Sequence, residues 1–165
     1  VEEIMEVIVE PFKEKDIEDM IQIWNEVVDE GVAFPQMEEL TKECAEEFFG
    51  SQDYVGVAKV NGQIEGLYIL HPNNVGRCGH QANASYAVRS QSRGQRIGEK
   101  LVRDSMIQAK RLNYKLLIFN AVVKDNERAI QLYQKLGFVK IGEVSGGFLQ
   151  KDGTYQDTIM FYHSL

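Results

Sequence analysis

Ser92-Arg93-Gly94-Gln95-Arg96-Ile97-Gly98 runs straight into Glu99-Lys100-Leu101-Val102-Arg103, a basic, glycine-bearing turn followed by a helical pattern. The first N–H groups of a helix have no partner within it, and the positive end of the helix dipole lies there, so such a turn is a ready anion site. Glycines let a phosphate approach the backbone closely. Arg89, Arg93, Arg96, Lys100 and Arg103 add positive charge suited to a small polyanion. Two familiar phosphate sites do not fit. A Walker-type loop needs Gly-Lys-Ser/Thr, whereas Gly98 is followed by Glu99-Lys100-Leu101. A Rossmann site needs GxGxxG and an acidic residue ending the next strand, which here ends in Asn120-Ala121-Val122-Val123.

Downstream of the turn, Ile97, Leu101, Val102, Ser105, Ala109 and Leu112 form one stripe of a helix expected over Gly94–Leu112. Tyr114–Val123 reads as a strand whose run Leu116-Leu117-Ile118-Phe119 implies burial on both faces. Upstream, Gln81–Arg89 reads as a strand that is small and polar on one side, the lining of a cleft rather than a packed core. The helix between these strands is a crossover, so they should be parallel, with the basic turn at the carboxyl end of the first. Asp125 or Asn126 caps a further helix carrying Ala129, Ile130, Leu132, Tyr133 and Leu136, and Gly137 stops it. A strand Phe138–Val144, a Gly146-Gly147 loop and a strand Tyr155–Tyr162 complete the chain. Toward the start, Tyr54–Val60 and Gln63–Leu70 flank Asn61-Gly62, a type I′ hairpin signal, and His71–His80 is a turn-rich loop. Helices are expected over Glu14–Glu30 and Glu38–Phe49, the latter with Leu40, Cys44, Ala45 and Phe48 on one face, after a first strand over Ile4–Glu10.

The 165 residues suit a single domain over 1–165, with 44 % hydrophobic residues. No apolar run is long enough to span a bilayer, and Val1-Glu2-Glu3 lacks the basic flank of a signal peptide, so a cytoplasmic protein without membrane contact is expected. Cys44 and Cys78 read as free thiols. Residues 1–50 hold 16 of the 25 acidic residues against three lysines, a net −13, while the rest carries +6. An overall charge of −7 argues against nucleic-acid binding. The acidic segment is a solvated face or an attractor of cationic substrates. His71, Cys78 and His80 lack any regular finger spacing, so no metal site is expected.

Val88 through Gly98 resembles the Q/R-x-x-G-x-G/A turn of the GNAT superfamily of acetyl-coenzyme A dependent N-acetyltransferases. Asn126-Glu127-Arg128-Ala129-Ile130-Gln131-Leu132-Tyr133-Gln134-Lys135-Leu136-Gly137-Phe138 resembles that family's N-x-x-A-x-x-L-Y-x-x-x-G-F segment. The resemblance implies a mixed α/β sheet of about seven strands flanked by four helices, with strands four and five parallel and splayed. It also implies acetyl-CoA as co-substrate, no metal, and often a homodimer. Val88, Arg93, Gly94, Gln95, Arg96, Ile97, Gly98, Asn126 and Tyr133 are then the expected cofactor-binding residues. Arg96 departs from the pattern by standing where the family usually has its first glycine. Its guanidinium matches phosphate oxygens and its N–H still joins the turn.

His71-Pro72-Asn73-Asn74, Gly76-Arg77-Cys78, Asn83–Val88 and Phe119–Val123 resemble the fungal subgroup that acetylates the proline analogue azetidine-2-carboxylate. That resemblance implies Asn83, Asn120 and Asn126 as substrate-binding residues, with Asn83 and Asn120 aiding transfer, on a small amino or imino acid. The family also implies Tyr133 as the acid that protonates the leaving thiolate, and the Val88 N–H is the inferred oxyanion donor. Strand four has no glutamate, so deprotonation falls to water, a backbone carbonyl or His80. Phe34, Tyr86 and Phe148 are candidates for the wall of a small-amine pocket. Alternatives are acetylation of a protein N-terminus, lysine or polyamine, or a non-catalytic acyl-CoA binding module.

Overall fold

A computed structural model describes residues 6–165. One sheet has the order β1-β2-β3-β4-β5-β7-β6. Its strands are β1 (Val7–Pro11), β2 (Tyr54–Val60), β3 (Gln63–Pro72), β4 (Gln81–Val88), β5 (Leu116–Val123), β6 (Val139–Leu149) and β7 (Tyr155–Ser164). The helices are α1 (Ile17–Glu30), α2 (Lys42–Gly50), α3 (Ile97–Arg111) and α4 (Glu127–Lys135). The element order and the parallel fourth and fifth strands match the expectation from sequence. Of the strand expected at Ile4–Glu10, Ile4 and Met5 lie outside the described residues.

Two apolar clusters cover the two faces of the sheet. On one face α1 and α2 bury Trp24 against Phe34, Phe48 and Phe49, with ring centroids 4.4–6.2 Å apart. On the other, Ile97, Leu101 and Val102 of α3 and the half-buried face of α4 pack on Tyr68, Leu70, Leu117, Phe119 and Phe161. Burying such side chains is worth roughly 1.5–3 kcal/mol each, and these clusters hold the helices to the sheet.

Local chemistry sets several boundaries away from their expected places. The α2 helix starts at Lys42 rather than Glu38, because the Asn25 side chain takes both the N–H and the carbonyl of Leu40, at 2.7 and 2.9 Å, leaving Thr41 to cap the helix. Its buried residues are Ala45 and Phe49, and Cys44 is exposed. The expected loop at Gly146-Gly147 is a bulge within β6, which pairs with β7 at Val144↔Thr158 and again at Phe148↔Gln156. The Asp157 carboxylate accepts the Gly146 N–H at 3.0 Å and holds the bulge to β7. The actual turn is at Gln150–Thr154.

The run Leu116–Phe119 is not buried equally on its two faces. Leu117 and Phe119 are buried, whereas Leu116 and Ile118 are half-buried. Leu117 and Phe119 lie on the face covered by α3 and α4, whereas Leu116 and Ile118 point to the other face and belong to neither cluster. β4 and β5 are paired only at Gln81↔Leu116 and Ala82↔Leu117 and then part. A wedge opens between them toward the carboxyl ends of both strands, where ligands of such sheets bind.

Candidate active site

The basic turn stands at the mouth of this wedge. After β4 the chain makes one 3-10 turn at Ser90–Ser92, passes Gly94 at φ +86°, and starts α3 at Ile97 rather than at Gly94. Arg96 caps the helix in the left-handed region, φ 63° and ψ 16°. That conformation costs a side chain about 1–2 kcal/mol and costs glycine nothing, which is why glycine is the usual residue at such a position. Gly98 differs from Gly94. A Cβ there would meet only Leu132 at 3.9 Å and Val88 at 4.0 Å, ordinary contacts, so neither backbone nor neighbours require a glycine. Leu132, Val88 and Gly98 all line the cleft beside the helix start, so the missing side chain leaves room for a ligand against the backbone.

That cleft has a volume of about 1110 Å³, at the upper end of what ligand sites enclose. Val88, Arg93, Gly94, Arg96, Ile97, Gly98, Asn126 and Tyr133 line it; Gln95, expected with them, is exposed and outside its wall. The cations divide into two kinds. Arg93 is engaged: Glu30 of α1 accepts from both its terminal nitrogens at 2.8 and 2.5 Å, and its Nε and Nη2 reach the Val88 carbonyl at 3.3 Å. Glu30 accordingly holds Arg93 above its ordinary pKa. Arg96 and Arg128 make no side-chain hydrogen bond or ion pair among the described residues, so both are available to an anion. Sequence reasoning missed Arg128 as a site residue. Its sole signal in the chain is a position two residues past Asn126 at a helix start.

A second cavity, about 200 Å³, lies in the wedge between β4 and β5. Asn83, Tyr86, Asn120, Asn126 and Tyr133 line it together with Phe34. Phe148 lines only the larger cleft. The two cavities share Ala33, Tyr86, Val123, Asn126 and Tyr133, so they meet at Tyr133. Asn83 bridges the splay, its Nδ2 donating to the Ile118 carbonyl at 2.8 Å. Asn120 sits in a β5 bulge, where Phe119 pairs with Phe161 and Val122 with Ile159. Its Nδ2 donates to Asn73 Oδ1 at 2.7 Å. In the sequence Asn73 is only a loop residue; nothing local ties it to β5. The Asn126 Oδ1 accepts the Ala129 N–H at 3.3 Å, so this residue caps α4 and lines both cavities.

Tyr133 stacks 4.5 Å from Phe119 by ring centroids, and its hydroxyl has no hydrogen-bond partner among the described residues. Burial pushes its phenol above the ordinary 10.0, so it stays protonated through the neutral range. Tyr86, also raised by burial, is tied to Ser105 Oγ at 2.7 Å; that hydroxyl donates to the Val102 carbonyl, leaving Tyr86 as the donor to Ser105. The Val88 N–H is placed by strand geometry. Arg89 donates to Glu65 of β3, so by the alternation of an antiparallel ladder the Val88 N–H faces the β5 side, where no strand remains to accept it. His80, a candidate base, lies before β4 at the end of the strand opposite to the cleft and lines neither cavity. Among the described residues no group of three or more His, Cys, Asp or Glu could hold a metal, and no helix is long and apolar enough to cross a membrane.

A family model described as the Acetyltransferase (GNAT) family matches residues 17–138. N-acetyltransferase aca1 of Schizosaccharomyces pombe is 31 % identical over 100 residues, 59 % of this chain and 48 % of the relative, so the chain spans about half that protein's length. A GCN5-related N-acetyltransferase from Kribbella flavida superposes with a TM-score of 0.89 at 29 % identity, covering 96 % of this chain and 98 % of that one. A phosphinothricin acetyltransferase from Sinorhizobium meliloti, solved with acetyl-CoA, has a TM-score of 0.90 at 18 % identity, covering 98 % and 89 %. At that identity it shares the fold alone. A family match running from α1 to the end of α4 takes in the turn, the splay and the helix that carries Tyr133, and on it the chain belongs to the GNAT family of acetyltransferases.

Proposed function

We propose that this chain transfers an acetyl group from acetyl-coenzyme A to the nitrogen of a small amino or imino acid, both substrates being bound at once. The confluence at Tyr133 of a large cleft holding two unpaired arginines with a small cavity lined by no charged side chain carries this reading. The cleft fits the coenzyme by its chemistry: free N–H groups at the start of α3, the unpaired guanidinium groups of Arg96 and Arg128, and the open face at Gly98 suit a pyrophosphate. Bound there, acetyl-CoA supplies an activated thioester.

The chain's own groups do the rest. The Val88 N–H stabilises the negative charge that develops on the acetyl oxygen, as a preorganised donor at the mouth of the splay. Tyr133 Oη holds a proton at the junction for the departing sulfur. Arg93 acts as a strut for the turn rather than as a phosphate ligand. Asn83 and Asn120 orient the acceptor, each with one amide proton already committed, and Asn126 joins them from the start of α4. The small cavity, at about 200 Å³, suits a small acceptor.

The Schizosaccharomyces pombe relative, named as an N-acetyltransferase, supports nitrogen as the acceptor atom. A mass-spectrometric screen of an amino- and imino-acid library with acetyl-CoA tests it. Acetylated products from that library are expected; products only from peptides or polyamines assayed alongside would reassign the acceptor.

A further inference from the structure

Tyr86 of β4 walls both cavities, yet its hydroxyl is turned away from them. The phenol donates to Ser105 Oγ at 2.7 Å, and Ser105, fully buried in α3, donates in turn to the Val102 carbonyl at 2.7 Å. Ring and hydroxyl are therefore held under α3. Phe119 stands edge-on to the ring at 5.8 Å. Tyr68 lies 6.0 Å away and is itself fixed by donation to Asp104 at 2.6 Å. The acetyl-transfer reading gives the Tyr86 phenol no role.

Its position relative to Val88 supplies one. Alternate residues of a strand share a face, so both side chains lie on the α3 side of β4, with Tyr86 about 7 Å deeper in the wedge. An acyl group whose carbonyl meets the Val88 N–H has two ways to extend. Ahead is the small cavity, which the acceptor occupies; to the side is the space under α3, which the Tyr86 ring fills. The way back along the cleft is taken by the coenzyme's own arm. Acetyl ends in a methyl and needs neither space. A longer chain must displace the acceptor or press on a ring that cannot turn without losing Ser105. Tyr68, Phe119 and Val102 around that ring are themselves buried, and a close-packed interior leaves it no retreat.

We propose that Tyr86 sets the length of acyl group this chain transfers, admitting acetyl and keeping longer groups from a productive position, and that Ser105 is the positioning residue that holds it there. The inference rests on the acetyl-transfer reading for the reaction, though not for the binding of acyl thioesters. The step is the same for every chain length: the acceptor nitrogen bonds the acyl carbon, the C–S bond breaks with its pair on sulfur, and the proton lost from nitrogen is balanced by the one sulfur gains. One methylene against a fixed apolar wall discriminates about 10–200-fold. Butyryl, two methylenes longer than acetyl, should therefore be transferred roughly 100-fold more slowly or worse.

The test compares acetyl-, propionyl- and butyryl-CoA in binding and in transfer. Calorimetric Kd values are measured for the intact chain, for Tyr86→Ala, and for Tyr86→Leu, which keeps more of the packing should alanine prevent folding. Acylated products from an amino- and imino-acid panel are counted by mass spectrometry. In the unmodified chain the Kd should not improve from acetyl to butyryl. With the ring cut back, each added methylene gains an apolar pocket, and affinity should rise about fourfold per methylene. The ratio of butyryl to acetyl transfer should rise tenfold or more with it. Tyr86→Phe keeps the ring without its anchor and Ser105→Ala frees the phenol; each should raise that ratio by less than Tyr86→Ala does. The same chain-length profile in the unmodified chain and the truncated variants, or butyryl transferred as fast as acetyl by the unmodified chain, would overturn the proposal. Affinity that rises with chain length only in the truncated variants, with no acylated product from any thioester, would uphold it and remove the acetyl-transfer reading instead.

Discussion

Glu30, at the last turn of α1, grips Arg93 of the phosphate turn through both carboxylate oxygens, at 2.8 and 2.5 Å, and Arg93 in turn spans to the Val88 carbonyl. One turn earlier on the same helix, Glu26 accepts the Ser90 N–H at 2.5 Å. Two carboxylates four residues apart thus lie under the basic turn. A purely electrostatic account makes Glu30 a liability beside a polyanion, so that its removal tightens coenzyme binding. The strut account predicts the opposite. Glu30→Ala should weaken coenzyme A binding roughly five-fold, corresponding to about 1 kcal/mol for a partly exposed bidentate pair. Calorimetric Kd values decide, and a tighter complex would defeat the strut.

Arg96 combines an unfavourable backbone with a useful charge. Arg96→Gly relieves the left-handed strain at φ 63° and removes the guanidinium. Thermal stability should rise by about 1 kcal/mol while coenzyme A binding weakens several-fold. If the glycine variant binds the coenzyme more tightly, Arg96 contributes nothing to phosphate.

Gly98 lies inside α3 with space for a methyl group. Gly98→Ala should hold or raise the melting temperature, since alanine is favoured over glycine by about 1 kcal/mol in a helix, yet weaken coenzyme A binding by filling the face against which it lies. Denaturation and binding curves on one preparation separate the two effects; unchanged affinity would mean that the space is not the ligand's.

Tyr133→Phe keeps the stacking on Phe119 and removes only the hydroxyl. Turnover should fall by roughly 100-fold or more with the coenzyme Kd little changed, the scale of losing a positioned proton donor. Wild-type turnover in the variant would remove Tyr133 from the proton path.

Tyr68, Tyr86 and Tyr133 all have phenols raised above 10.0, in each case first by burial. Above pH 10 the unfolded chain loses these protons and the folded chain keeps them, so stability falls as pH rises, by about 1.4 kcal/mol per pH unit for each tyrosine. The part of the tyrosinate absorbance that comes from these three of the seven tyrosines should then appear together with the loss of circular dichroism in one alkaline transition; ionisation of these three in the intact fold would contradict the burial.

The sequence by itself determined what short-range chemistry determines. Asn61-Gly62, at φ 52° and 79°, made the hairpin; the stripes of α1 and α3 set their buried faces and that of α4 its half-buried one; the parallel crossover put the basic turn at the carboxyl end of β4. Each depends on residues a few positions apart, or on the handedness of a single connection. Tertiary structure decided which groups are free to act. Arg93 and Arg96 look alike in the chain, but Glu30, 63 residues before Arg93, engages one and leaves the other available. Asn73 and Asn120 are 47 positions apart and meet only because a bulge turns β5 toward the loop after β3. The early parting of β4 and β5 makes the small cavity, and the packing of α4 across it puts Tyr133 where the two cavities join. A side chain's partners are set by long-range packing, and no local pattern encodes them.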